Sequence, residues 1–200
     1  MLKLYHAPRT RSIRIRWLLE ELQLPHELER VEFRPQKTTF AQATPFGRFP
    51  VLVDGEVVIG ESGAILEYIL EQYGAGRLAP GVAAPQRGEF LQWVHFAEGT
   101  AFAPLGVLIW HGIYRGDAER IPVAIDAARD RARSALEVVE RHLMTRDYLL
   151  GPEFSAADIM LGFTLVAAQV VGVLDLRYPA TNSYLARLTA RPAFQRATAD

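Results

Sequence analysis

The spacing of apolar residues changes character near residue 80, and this limits the fold more than any other feature of the chain. From Met1 to Tyr73 the period switches back and forth between two and three-to-four; beyond Pro85 it stays at three-to-four. Leu2 and Leu4 alternate with Lys3 as in a strand, whereas Ile15, Leu18, Leu19 and Leu22 recur at helical spacing and are followed by Pro25, a stop signal. Glu27 to Phe33 reads as a second strand with Val31 and Phe33 on one face, and Phe40 to Ala43 as a short helix. In PVLVDGEVVIG two apolar runs are joined at Asp54-Gly55, a strong hairpin signal. Ile65, Leu66, Ile69 and Tyr73 then mark a helix that begins near Ser62 and ends before Gly74 and Gly76.

The resulting order is β-α-β-α-β-β-α, a right-handed crossover between parallel strands followed by an antiparallel hairpin, which is the thioredoxin-like order. Leu78 to Pro85, with Pro80 and Gly81, reads as a linker, dividing the chain into an α/β domain over 1–78 and an all-α bundle over 85–200. In the second half one apolar stripe runs through Phe90, Trp93 or Val94, Ala97 and Ala101. Another runs through Ile125, Ala128, Ala132, Ala135, Val139 and Leu143. Ala156 to Val171 is apolar nearly all round and should be the central helix, opened by a capping box between Ser155 and Asp158. A last short helix, Ser183 to Ala190, is expected to stop at Arg191-Pro192.

Composition narrows the functions. With 50% hydrophobic and 22% charged residues the chain is neither disordered nor fibrous, and 22 Lys+Arg against 23 Asp+Glu leave no field to attract nucleic acid or anionic lipid. The longest apolar run, Ile159 to Leu174, is shorter than the ~20 residues a bilayer requires, so no membrane association is expected. The opening residues have no signal-peptide pattern, and a cytoplasmic location is expected. There is no cysteine, which removes disulfides, thiolate metal sites and a cysteine nucleophile together; thiol chemistry here needs an external sulfur. His6, His26, His95, His111 and His142 show no metal-ligand spacing, and no metal site is expected.

Two short segments carry chemistry. Pro50 stands where FGRFPVL enters a strand, a place proline occupies either as an ordinary first residue or with a cis bond. The cis form would present the Phe49 N–H and C=O to an extended peptide ligand, as in strand addition. Glu61-Ser62 opens a helix, and beyond simple capping by Ser62 this N-terminus, with the Gly63 N–H, suits a carboxylate while Glu61 suits an ammonium group. A ligand bearing both charges on one carbon is an α-amino acid moiety.

LYHAPRTRSIRIRWLLEEL, TPFGRFPVL, GESGAILEYI, the linker and GPEFSAADIMLG occur in the order and spacing in which the chain resembles the cytosolic glutathione S-transferase superfamily. The resemblance implies a two-domain homodimer that uses glutathione as co-substrate. Phe49 and Pro50 would meet its cysteinyl backbone and Glu61 with Ser62 its γ-glutamyl end, with Arg11 as a further donor and Lys37 or Gln36 near the glycine carboxylate. Thr10 lies where many serine-type members place their catalytic Ser; Ser12 and Tyr5 are the other hydroxyls offered to the sulfur, and backbone N–H groups are the remaining alternative. Trp110 and Tyr114 are the residues expected to line an electrophile pocket, and Glu98 resembles a position that reaches glutathione across a dimer. Three functions follow: transfer of glutathione to a small apolar electrophile, glutathione-dependent reduction of a peroxide or disulfide, or a binding module without chemistry, to which Thr10 in place of Ser gives some support.

Overall fold

The computed structural model describes residues 1–32, 40, 44–114 and 121–199. They form two compact units, Met1–Pro80 together with Ala190–Asp200, and Gly81–Thr189. The first unit contains β1 (Leu2–His6), α1 (Ser12–Leu22), β2 (His26–Arg30), β3 (Val51–Asp54), β4 (Val57–Gly60) and α2 (Ser62–Tyr73). The second contains α3 (Arg87–His95), α4 (Ala103–Ile109), α5 (Pro122–Leu143), α6 (Ala156–Val170) and α7 (Pro179–Thr189), and α8 (Pro192–Thr198) returns to the first.

The sheet has the order β2-β1-β3-β4, with β1 parallel to β2 and antiparallel to β3, and β4 antiparallel to β3. Leu2, Leu4 and His6 share the inward face of β1, and Ile15, Leu18 and Leu19 of α1 with Ile65, Leu66 and Ile69 of α2 are buried. α2 spans the residues that its apolar spacing predicts. The second strand is shorter than expected: it ends at Arg30, Val31 still donates its N–H to His6 O at 2.9 Å, and Phe33 lies outside the described residues. Of the short helix expected over Phe40 to Ala43, 41–43 also lie outside them; Phe40 itself is buried and stacks on Phe49 with ring centroids 4.6 Å apart.

The hairpin differs by one residue from its expected turn. Asp54 pairs with Val57, so the loop is Gly55-Glu56, with Gly55 at φ 60 in the first central position, where a type II′ turn requires glycine. Asp54 is thereby released for another task. Its carboxylate accepts the hydroxyls of Tyr68 (2.9 Å) and Tyr73, clamping the hairpin to α2.

In the second unit both expected stripes are inside: Phe90, Trp93, Val94, Ala97 and Ala101 on one, and Ala128 through Leu143 on the other, with only Ile125 half-exposed. The first stripe is not one regular helix. Phe96–Phe102 is wound with π geometry, as is Trp110–Tyr114, and the Ala97 carbonyl accepts the Thr164 hydroxyl of α6 at 3.0 Å. Every residue of α6 from Ala156 to Leu165 is buried, as its all-round apolarity requires. The last helix of this unit starts earlier than expected, at Pro179, because its cap comes from far away in sequence. The Glu140 carboxylate of α5 accepts the N–H groups of Ala180 and Thr181 (3.0 and 2.8 Å) and the Thr181 hydroxyl.

The chain also does not stop folding at Arg191-Pro192. Pro192 is the first residue of α8, where proline is favoured. That helix packs on α1 through the edge-on contact of Phe194 with Trp17 (4.8 Å) and the pairs Arg191–Glu21 and Arg196–Glu20 (both 2.6 Å). Contacts therefore assign Ala190–Asp200 to the first compact unit, and the helical unit ends at Thr189 rather than at residue 200. Among the described residues no helix is long and apolar enough to cross a membrane.

The capping box of α6 is complete, and Asp158 does more than cap. Its carboxylate accepts Ser155 N (2.7 Å), Ser155 Oγ (2.9 Å), Leu149 N (2.9 Å) and the Tyr184 hydroxyl (2.7 Å) while fully buried. Burial raises the Asp158 pKa and these donors oppose the rise. Asp158→Ala is expected to lower the unfolding free energy by about 3–5 kcal/mol, since it removes a cap and strands several buried donors; urea denaturation measures it. Asp54 yields a pH dependence. The Tyr73 hydroxyl holds its carboxyl below the ordinary aspartate value; burial opposes this less strongly, and the Tyr68 hydroxyl adds a smaller lowering. Its stabilisation is therefore complete above that ordinary value and lost as pH falls through the lowered one. Thermal melts should show Asp54→Asn less stable than wild type at about pH 6, with the gap closing towards about pH 3.

Candidate functional site

Three backbone ends meet in the first unit. The register pairs Tyr5 with Val51, which sets the turn after β1 beside the residues that precede β3, and α2 begins directly after β4. The turn from Ala7 to Arg11 passes through Arg9 at φ 61 and closes on a set of buried hydroxyls. Ser12 Oγ lies 2.9 Å from His6 Nδ1, 2.7 Å from Thr10 Oγ1 and 3.2 Å from Ala7 O, and it accepts Ala7 N–H at 3.3 Å. Thr10 Oγ1 donates to Ala7 O at 2.7 Å and accepts Ser12 N–H at 3.3 Å. Ser12 and His6 are wholly buried. Tyr5 stands on the other face of β1, its ring against Phe40 and the cluster of Ala7, Phe49 and Val51.

Beside this turn is a cleft of about 80 Å³. Phe46, Phe49 and Pro50 form its apolar side, and Arg11, Arg48, Glu61 and Ser62 its polar side. The Phe49–Pro50 peptide bond is cis. Phe46 lies over the end of β4, where a Cβ on Gly60 would stand 2.6 Å from its ring, so only glycine admits this approach. Glu61 adopts φ 66 and ψ 116, outside the regions open to a residue with a Cβ, at a cost on the order of 1–3 kcal/mol. Its carbonyl nonetheless accepts Ile65 N–H at 3.0 Å, the first bond of α2, and its side chain stays exposed at the cleft.

Ser62 is oriented from behind. Arg14 of α1, fully buried, donates from Nη1 to Ser62 Oγ at 3.0 Å. A guanidinium only donates, so Ser62 accepts on that side and its own O–H is available to donate. The cleft thus holds an exposed carboxylate, a hydroxyl with its proton to give and the N–H groups of a helix N-terminus side by side. Such an arrangement suits an ammonium and a carboxylate on one carbon.

The N-terminal domain profile of glutathione S-transferases matches residues 1–71, and the C-terminal domain profile of the same proteins matches residues 122–187. Glutathione S-transferase 3 of Zea mays is 30% identical, the match covering 99% of this chain and 93% of that protein. The disulfide-bond oxidoreductase YfcG of Escherichia coli is also 30% identical, over 96% of this chain and 92% of its own. The crystal structure of the glutathione transferase URE2P8 of Phanerochaete chrysosporium with oxidized glutathione superposes with a TM-score of 0.87 at 26% identity, covering 98% of this chain and 92% of that one.

The chain belongs to the glutathione S-transferase superfamily.

In this superfamily member Arg11, Phe49, Pro50, Glu61 and Ser62, all expected from the sequence to meet the ligand, line the one cleft. Thr10 and Ser12 lie in the turn behind Arg11 with their hydroxyls in the internal network, and Tyr5 is held in the apolar cluster. Lys37 and Gln36 lie outside the described residues. Trp110, Tyr114 and Glu98 belong to the second unit: Trp110 and Tyr114 to the π-wound stretch after α4, Trp110 54% exposed, and Glu98 to the π-wound stretch before it. The small cavity in that unit, lined by Ala101, Leu105, Ala135 and their neighbours, is only about 10 Å³ and does not include them. Among the described residues no three His, Asp or Glu side chains gather as a metal site.

Sequence reasoning missed His6, Phe46 and Arg48 as parts of this region, and placed Arg14 there only through its resemblance, four residues after Thr10. His6 had a legible signal, since it shares the inward parity of Leu2 and Leu4 and a buried imidazole requires a partner. Arg14 had one too: a basic residue among Ile13, Ile15 and Leu18 on a buried helix face. Ser62→Ala is expected to cost about 1–3 kcal/mol of stability with no ligand present, since it deprives a buried guanidinium of an acceptor; chemical denaturation tests this.

Proposed function

We propose that this chain is a glutathione transferase, which binds glutathione in the cleft and adds its thiolate to a small apolar electrophile. The observation that carries the reading is the cleft, which sets Glu61, Ser62 and the α2 N-terminus beside Phe49 and the cis Pro50. Its charges agree with the ligand: Arg11 and Arg48 against Glu61 suit a molecule with two carboxylates and one ammonium. Glu61 takes the ammonium, Ser62 and the helix N-terminus take the γ-glutamyl carboxylate, and the Phe49 backbone pairs with the cysteinyl residue.

The reaction needs the thiolate. A free thiol with a pKa of about 8.5 is only about 3% ionised at neutral pH, so the protein must stabilise the anion. Thr10 at the head of α1 is the hydroxyl assigned to this task, ahead of the wholly buried Ser12 and the ring-packed Tyr5. Family membership supports a cytoplasmic homodimer, with Glu98 offered to a second copy and Trp110 and Tyr114 to the electrophile.

A second reading, glutathione-dependent disulfide reduction, is favoured by the similarity to a disulfide-bond oxidoreductase. Without cysteine in the chain, the thiolate of one glutathione would attack the substrate disulfide, releasing one thiol. A second glutathione would then resolve the mixed disulfide to release the other thiol and oxidised glutathione. Parallel assays with a chloronitrobenzene acceptor, an organic hydroperoxide and a small disulfide separate the readings. Transfer to the aromatic acceptor is expected; no turnover with any of the three, despite bound glutathione, would mean a binding module. Glu61→Gln should raise the KM for glutathione about 10- to 100-fold, as expected for loss of a charged hydrogen bond, with a smaller change in kcat.

A further inference from the structure

The hydroxyl network after β1 fixes where its protons sit. Thr10 Oγ1 makes two contacts of 2.7 Å, to Ala7 O and to Ser12 Oγ, and it has one proton. A carbonyl cannot donate, so that proton goes to Ala7 O; Ser12 Oγ also lies 3.2 Å from Ala7 O, but its 2.7 Å contact with Thr10 is the shorter claim on its one proton, so the Thr10 contact uses the proton of Ser12. With that proton spent, the 2.9 Å contact between Ser12 Oγ and His6 Nδ1 has only one possible donor, the imidazole. Ser12 Oγ then accepts from His6 Nδ1 and Ala7 N, and Thr10 Oγ1 from Ser12 Oγ and Ser12 N, so every lone pair and proton is used.

We infer that His6 is a positioning residue: its Nδ1–H sets the direction of a buried relay from His6 through Ser12 to Thr10, so that the Thr10 proton is the one not spent on another hydroxyl. Rested on the proposed transferase reading, this makes the Thr10 hydroxyl a donor that exchanges Ala7 O for the sulfur anion when glutathione binds. If His6 presented a bare Nδ1, Ser12 would donate to it, Thr10 would donate to Ser12, and no hydroxyl proton would be left for the sulfur. Each donor in such a row also polarises the next, which strengthens the terminal bond. Ser12 is thus a conductor of orientation, consistent with its complete burial.

The first test needs no glutathione. Long-range proton–nitrogen NMR of histidine-labelled protein should show His6 protonated at Nδ1, whereas an Nδ1 without a proton overturns the inference whatever the enzyme does. The second test reads the relay. His6→Phe keeps a ring and removes Nδ1; it should lower kcat about tenfold and leave the KM for glutathione within about twofold. It should also shift upward the pH at which bound glutathione develops its thiolate absorbance. His6→Asn, whose amide can donate from a similar place, should recover most of the loss. In the Thr10→Val background, His6→Phe should cost nothing further, because it acts through that hydroxyl. Full additivity of the two, or an unchanged thiolate titration in a folded His6→Phe protein, would sink the relay. Should wild type bind no glutathione or show no thiolate at all, the transferase reading falls while the NMR result still decides the proton on His6.

Discussion

The buried guanidinium of Arg14 is the interaction on which the arrangement of the cleft depends. A cation taken wholly out of water is costly unless its donors are met, and here one of them reaches from α1 to Ser62 at the head of α2. The contact joins residues 48 positions apart and fixes the relation between the two helix N-termini that face the site. It also settles a question of polarity. Serine can give or take, and an arginine behind it makes it a giver towards the cleft.

Around that contact the structure holds Glu61 where its backbone would not go by itself. A positive φ on a residue with a side chain persists only when its neighbours overdetermine it. They do so from both sides. Upstream, Asp54 clamps the hairpin to α2 through Tyr68 and Tyr73, and downstream Ser62 is tied to Arg14. Gly60, immediately before, cannot carry a side chain without displacing Phe46. The strained residue is therefore the one link between a fixed strand end and a fixed helix start.

Local signals were legible. Ser155 and Asp158 predict their own capping box, Ile65 to Tyr73 predict the limits of α2, and Glu61-Ser62 predicts where that helix begins. What was not legible depends on partners distant in the chain. No residue near Pro179 announces that Glu140 will cap it, so the start of α7 could not be placed. Arg191-Pro192 looks like an end unless Glu20, Glu21 and Trp17 are known to wait on α1. Asp54-Gly55 reads as a turn because Asp-Gly suits one, whereas the tyrosines of α2 give the Asp54 carboxylate other work. The hydroxyls at 10, 12 and 5 could be ranked in that order only by resemblance, since the physical rank turns on which protons are already spent.

That last point matters for the chemistry proposed. Moving a thiol with a pKa of about 8.5 down by about 2 units takes about 2.7 kcal/mol of selective stabilisation of the anion. A helix N-terminus contributes about 0.3–1 kcal/mol in ordinary settings, which is too little alone, whereas a hydrogen bond to a charged group contributes about 1.5–3 kcal/mol. The two together suffice. Thr10 has its proton on Ala7 O in the free protein, a neutral bond worth about 1 kcal/mol, and an anionic sulfur offers it more. The exchange is therefore downhill once the anion is present and not before, so the free protein keeps the Thr10 and Ser12 hydroxyls hydrogen-bonded and still has a donor to give. A chain without cysteine can then do thiol chemistry with a hydroxyl proton whose direction is set two residues deeper, at His6.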